Sequence, residues 1–231
     1  QENADCVACG YNRVYDNKSE EIISKEPYSL ENKEFLEKIL FVQNGLGFCH
    51  MKIWKKSVTT NIKFDEKLKV GEDALFNIQA STNIKKFHML NEALYNYRFN
   101  ETSVVRNFDE NYMNKYLASM QVAQEYVNEN YKDNKDILDK INNYISYHVL
   151  LIVVNYCFNP ENKLKTIEQI NKLKMICEIE EFKNAIKKSS YEGFSTTRKI
   201  TLFTLKYKLY FLTMIIGKVR QMQFRKRRKQ K

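Results

Sequence analysis

Apolar side chains recur along this chain with two rhythms. Residues 6–15, opening Cys-Val-Ala-Cys-Gly-Tyr and closing on Val14 and Tyr15, read as a strand. Residues 20–25 can pair back on it across the polar turn Asp16-Asn17-Lys18. Ser29 stands where a helix N-cap belongs, ahead of Leu30, Phe35, Leu36, Ile39 and Leu40 at helical spacing. Gly45-Leu46-Gly47 interrupts that pattern, and residues 48–54 predict a strand or short extended segment. Residues 64–71 read as a loop and 72–81 as a helix with acids in its first turn. Residues 86–99 alternate as a strand, with Tyr95 and Tyr97 at period two.

Beyond about residue 108 the rhythm becomes helical throughout. Tyr112, Tyr116, Met120, Ala123 and Val127 recur at spacings of three and four; so do Ile137, Ile141, Tyr144, His148 and Ile152, and again Leu164, Ile167, Ile170 and Leu173. These are amphipathic helices with short connections, one boundary marked by Pro160. Near the end, Leu202, Leu205, Leu209, Leu212, Ile216 and Val219 form one stripe, and Phe203, Tyr207, Tyr210 and Met214 cover nearly the opposite side of the same helix. The expected class is α/β followed by a mostly α-helical C-terminal region, divided as residues 1–108, a helical region 109–197, and an amphipathic helix with a basic tail over 198–231.

Composition narrows the classes. Six Gly and two Pro in 231 residues exclude collagen-like and mucin-like chains and argue against a turn-rich all-β fold. Five Cys make no disulfide framework and point to a reducing compartment. The net charge of +10 is not spread evenly: residues 198–231 hold 12 Lys and Arg with no acid, and the remainder carries 26 basic and 28 acidic side chains. The basic character belongs to the tail. Residues 1–10 contain no basic n-region or apolar h-region. The longest apolar stretch, 200–217, is interrupted by Lys206 and Lys208, so no spanning helix is expected.

Most candidate chemistry is weak. Cys6 and Cys9 have C-x-x-C spacing, but positions i and i+3 of a strand face opposite sides, which favours two structural thiols over a metal site. Cys49 and His50 supply no second pair, and His88 and His148 sit among apolar neighbours. The chain contains no G-x-S-x-G, P-loop or G-x-G-x-x-G. The pair Glu72-Asp73, preceded by Gly71 and followed by Ala74, Leu75 and Phe76, is the constellation of interest. Acids in a first turn stabilise the positive end of the helix by about 0.3–1 kcal/mol. A carboxylate fixed there and facing a cleft also suits a general base for a substrate hydroxyl.

Four blocks together carry a resemblance. They are Gly47-Phe48-Cys49-His50-Met51-Lys52-Ile53-Trp54-Lys55-Lys56, then Ile62-Lys63-Phe64-Asp65-Glu66, then Gly71-Glu72-Asp73-Ala74-Leu75-Phe76-Asn77, then Tyr95-Asn96-Tyr97-Arg98-Phe99-Asn100 with Ser103. In order and spacing they resemble the second half of family 2 glycosyltransferases, which have a GT-A fold. Residues 4–11 look like the strand that follows the family's nucleotide-sugar half. The resemblance covers roughly residues 4–108, making that stretch the acceptor-side half of a GT-A-like domain. It implies Asp73 as general base, deprotonating an acceptor hydroxyl that attacks the donor's anomeric carbon with inversion, and Glu72 as a residue that shapes the site. It also implies Tyr97, Arg98 and Ser103 near the donor phosphates or acceptor, and Lys52 and Trp54 lining the acceptor cleft. For Trp54, core packing is the competing expectation.

The family's Asp-x-Asp motif, which holds Mg or Mn and the nucleotide diphosphate, occurs nowhere in this chain. The resemblance therefore implies a metal for the complete enzyme but none within these residues, a nucleotide-sugar donor bound with another half, and a glycan or lipid-linked acceptor. The tail run Arg225-Lys226-Arg227-Arg228-Lys229, beside an apolar helix, points to an anionic membrane surface rather than to nucleic acid, and so to a peripheral place on the cytoplasmic face of the cell membrane. The alternative is a non-catalytic helical membrane- or nucleic-acid-binding module whose Glu-Asp pair is only a helix start.

Overall fold

Alternate residues of the opening strand turn inward, Cys6, Ala8 and Gly10 being buried in β1 (Cys6–Val14). The computed structural model describes residues 3–41, 45–98 and 108–229, with side chains of the last helix described as far as Phe224. β2 (Ser19–Ile22) folds back antiparallel on β1, pairing Tyr11 with Ile22 and Val14 with Ser19. The approach needs Gly10, where an added Cβ would stand 2.5 Å from the Ile22 carbonyl oxygen. β3 (Tyr28–Leu30) leads into α1 (Asn32–Leu40), and β4 (Lys52–Trp54) into the short α2 (Lys56–Thr59). Then come α3 (Glu72–Ser81) and β5 (Phe87–Arg98).

β5 lies parallel to β1, and the sheet order is β2-β1-β5-β3, with β4 antiparallel to β1 on the β2 side. Phe35, Leu36, Ile39 and Leu40 of α1 are buried, as are Leu75 and Ile78 of α3. Phe35 stacks on Phe87 at 4.5 Å between ring centres and meets Trp54 edge-on at 6.0 Å. One expectation fails here. Ser29 belongs to β3, where its hydroxyl pairs with His88 Nδ1 at 2.9 Å, and the cap of α1 is Glu31 in a capping box with Glu34. Pairing of β3 with β5 claims the serine that local pattern assigns to the helix.

The chain divides into two compact units, Gln1–Val105 and Arg106–Lys231. The second is helical: α4 (Tyr112–Asn130), α5 (Lys135–Ile152) continued by a π-helical turn (Val153–Cys157), α6 (Thr166–Cys177), α7 (Glu180–Lys188), α8 (Thr196–Lys206) and α9 (Tyr210–Lys229). The single tail helix expected across 200–219 is instead two. Lys208 takes a left-handed backbone (φ 56°), and α8 ends before it. The break rotates the stripe: Leu202 and Leu205 are buried in α8, whereas in α9 Tyr210 and Met214 are buried and Leu212 and Val219 are exposed. The packed side of α9 is tight, since a Cβ on Gly217 would lie 2.7 Å from the Phe158 ring.

Candidate active site

α3 starts from Gly71, whose left-handed backbone (φ 80°) turns the chain into the helix. Asp73, half-buried in the first turn, is not merely a helix-end acid. Its Oδ2 accepts the backbone N–H of Cys49 at 3.2 Å, from the loop before β4. Oδ1 has no hydrogen bond among the described residues. One carboxylate oxygen is thus held by the loop, an arrangement that suits a general base.

The loop is tied down from several directions. Asn77, fully buried one turn after Asp73, donates its Nδ2 to the carbonyl of Gly47 at 3.1 Å and to that of Asp73 at 2.6 Å. Its Oδ1 is buried without a partner among the described residues. The Cys49 thiol points at the Asp73 carbonyl at 3.5 Å, and burial, then the nearby Asp73 charge, pushes its pKa up to about 12. That thiol stays protonated and acts as a weak donor rather than a nucleophile. Lys52 donates its ammonium to the carbonyls of Leu46 (2.9 Å) and Phe48. Burial pulls the Lys52 pKa down to about 8, against the nearby Cys6, Cys49 and Asp73. Met51 holds a left-handed backbone (φ 70°), and its carbonyl accepts the N–H of Cys9 in β1 at 3.0 Å.

An aromatic stack flanks the carboxylate. The His50 ring lies nearly parallel to Phe48, Tyr95 and Tyr97, with centres 5.1, 5.2 and 5.5 Å away. Tyr97 also meets Tyr11 edge-on. Burial lowers the His50 pKa, so the ring is neutral at physiological pH, and Asp73 opposes that shift.

Of the residues singled out from sequence, Asp73, Lys52 and Tyr97 come together around this loop. Glu72 is half-buried beside Asp73. Arg98 follows Tyr97 in β5, faces the other side of the sheet and is exposed. Trp54 packs among Phe35 and Phe76. Ser103 lies outside the described residues, as do the side chains of Arg225, Lys226, Arg227, Arg228 and Lys229. The parts that sequence reasoning left unassigned are Asn77, the backbone N–H of Cys49 and the His50 stack. Asn77 had a signal, an amide between Phe76 and Ile78 in the apolar part of the helix.

A concavity of about 550 Å3 opens at the other end of β1 between Asn3, Lys55, Asn83 and Lys85. Its carboxylate is spent: Asp5 accepts Lys55 Nζ at 2.9 Å and the backbone N–H groups of Lys85 and Lys86, which hold its pKa below the usual range. Among the described residues no three His, Cys, Asp or Glu side chains gather in a set that could hold a metal ion.

Comparison with known proteins bears on the class and the fold. No protein-family model matches the chain. It is 21% identical over 214 residues to EpsH of Bacillus subtilis (strain 168), a protein named as a glycosyltransferase, covering 90% of this chain and 62% of that one. It is 27% identical over 155 residues to EpsJ of the same organism, named as an uncharacterized glycosyltransferase, covering 66% of this chain and 44% of that one. Among solved structures it is similar to S. aureus TarS 1-349 in complex with UDP-GlcNAc, with a TM-score of 0.55 and 15% identity over 97% of this chain and 60% of that one. The mixed α/β fold is therefore that of TarS, and the similar curated proteins are named as glycosyltransferases. The chain spans less than two-thirds of the length of each of these proteins.

Proposed function

We propose that the chain supplies the acceptor side of a family 2, GT-A-type glycosyltransferase site, with Asp73 as the general base of an inverting transfer. The observation that carries this reading is the divided use of the Asp73 carboxylate, Oδ2 on the Cys49 N–H and Oδ1 available to a ligand. As a helix start alone, Asp73 would not need a second element built around it. In the reaction an acceptor hydroxyl gives its proton to Oδ1 while its oxygen bonds to the anomeric carbon of the donor. The bond from that carbon to the nucleoside diphosphate breaks with inversion, and the diphosphate leaves with the electron pair.

The aromatic stack supports a sugar acceptor. Phe48 and Tyr95 are exposed members of it, and flat aromatic faces receive the C–H faces of pyranose rings. TarS binds UDP-GlcNAc, which supports a nucleotide-sugar as donor. In this reading Lys52 holds the loop carbonyls, Glu72 borders the acceptor, and Tyr97 closes the stack. Arg98 and Ser103, at the end of β5 and beyond it, remain candidates for the diphosphate. The complete enzyme takes Mg or Mn with a donor half that these residues do not provide, and the acceptor is a cell-surface or lipid-linked glycan.

The test is sugar transfer by a protein that also carries the donor half. Asp73→Asn, which keeps the shape and the acceptor for the Cys49 N–H, lowers turnover at least about 100-fold with an unchanged melting temperature. Transfer at the parent rate by a folded Asp73→Asn protein overturns the assignment.

A further inference from the structure

The helical unit presents a surface that sugar transfer does not use. On one side of α9, Tyr210, Thr213 and Met214 are buried and Gly217 abuts Phe158. On the other, Phe211, Leu212, Ile215, Val219 and Met222 are all between 40% and 62% exposed. At 100° per residue these five positions fall within an arc of about 100°, opposite the packed side. The arc is continuous with a groove of about 420 Å3, where Ile167 of α6 meets Leu209, Phe211 and Leu212 under a rim of Lys174 and Lys208.

We infer that this face of α9, with the groove at its start, seats on an anionic lipid bilayer, the helix lying in the plane of the interface. Charge selects this occupant. No acid follows Glu192, and residues 198–231 carry 12 Lys and Arg, five of them consecutive at 225–229. A second copy would set two such faces together and repel itself. A nucleic acid would use the cations and leave five large apolar side chains in water. A bilayer with acidic headgroups takes both, the apolar arc in the acyl boundary and the cations among the phosphates. Among the described residues no helix is long and apolar enough to cross a membrane, so the contact is one-sided. The break at Lys208 is what makes the arc. It turns α9 so that Tyr210 and Met214 pack inward while Phe211 and Ile215 face out.

This inference stands apart from the reading of Asp73, and its test has no catalytic readout. The 231-residue chain is sedimented with vesicles of phosphatidylcholine alone and of phosphatidylcholine mixed with phosphatidylglycerol. It pellets with the mixed vesicles and at least about tenfold less tightly with the neutral ones. Ile215→Glu with Val219→Glu abolishes pelleting with both, while circular dichroism and melting stay as in the parent, because both side chains are exposed. Arg225→Gln with Arg227→Gln and Arg228→Gln weakens binding to the mixed vesicles on the order of 100-fold and changes binding to the neutral ones little. Equal pelleting with both lipids, or pelleting with neither, overturns the inference. So does a lipid-free dimer that the two glutamates dissolve, or binding to duplex DNA tighter than to the anionic vesicles.

Discussion

Two clusters of buried titratable groups, one in each unit, differ in what surrounds them. In the helical unit, Tyr116, Tyr144 and His148 are buried side by side, and burial is the largest cause that drives the tyrosine pKa values up and that of His148 down to about 4. Every one of these groups is kept neutral, and His148 spends its Nδ1–H on the Tyr144 carbonyl one turn back at 2.8 Å. In the strand-containing unit, Lys52, His50 and Cys49 are perturbed by burial too, but each also feels the charge of the half-exposed Asp73. The hydrogen bonds there join residues far apart in the chain, 24 positions from Cys49 to Asp73 and 30 from Gly47 to Asn77. Perturbation chiefly by burial, among neutral neighbours, marks a core. Perturbation around a half-exposed carboxylate is what the proposed base role of Asp73 draws on.

If that contrast is right, Asp73→Asn costs two to four orders of magnitude in turnover at little cost in stability, whereas no substitution in the tyrosine cluster changes turnover without changing stability. Steady-state kinetics beside thermal melts of Asp73→Asn and Tyr144→Phe decide this. A Tyr144→Phe protein with parent stability and lost turnover would place chemistry in the helical unit as well.

How much of this was legible from sequence follows the same division. Helices announce themselves through local spacing: the ten residues of α3 and the positions of α4 to α6 agree with the apolar periodicity. The tail helix misled because its stripe of apolar residues continues unbroken through Lys208, and a backbone reversal at one lysine leaves no mark in a pattern of three and four. Most strands were legible as strands, since β1 and β5 lie within the runs read so and β2 overlaps the third, while β3 was hidden under the expected helix cap. Their order was not, because β1 and β5 pair in parallel across some eighty residues, Cys6 with Phe87, and nothing local encodes that partner. The Glu-Asp pair was visible through a resemblance. The Cys49 N–H that fixes it belongs to the backbone, and a backbone donor has no signature in side-chain identity.

The buried His148 gives the helical unit a dependence on acid. An unfolded chain protonates its histidine near pH 6.5, and the folded one only near 4. The stability tied to the neutral ring is complete above pH 6.5 and is lost as pH falls from 6.5 to 4, by about 3 kcal/mol at most. Urea titrations of the parent and of His148→Phe over that range measure it. The variant shows a flatter acid limb, and parallel limbs would mean that His148 is already hydrated in the fold.

The aromatic stack predicts a smaller change on the strand side. Tyr95→Ala removes one exposed ring next to His50 and raises the acceptor KM by about five- to tenfold, with turnover nearly unchanged, because stacking on a ring is worth about 1 kcal/mol in ground and transition states alike. A fall in turnover at constant KM would instead tie Tyr95 to the reacting atoms.

The smallest effects lie at the helix caps, and they return to the difference between local and long-range order. Asn134 caps α5 with its side chain, accepting the N–H of Ile137 at 3.3 Å, and both residues belong to one turn. Asn134→Ala therefore removes a purely local bond and costs about 1 kcal/mol. In α1 the cap is shared between Glu31 and Glu34, so Glu34→Ala frees the Glu31 N–H to water and costs about 0.5 kcal/mol. Ser29→Ala is the informative third. Were Ser29 the cap of α1, its loss would match that of Asn134. As a strand residue bonded to His88 at an exposed position, it contributes only the net worth of one solvent-accessible hydrogen bond, about 0.5 kcal/mol or less. That bond also ties β3 to β5 through an imidazole, so the Ser29→Ala loss shrinks further when His88 is replaced by Ala, while the Glu34→Ala loss does not. A double-mutant cycle by urea unfolding separates the two, and an Asn134-sized loss at Ser29 that is independent of His88 would return the serine to the helix.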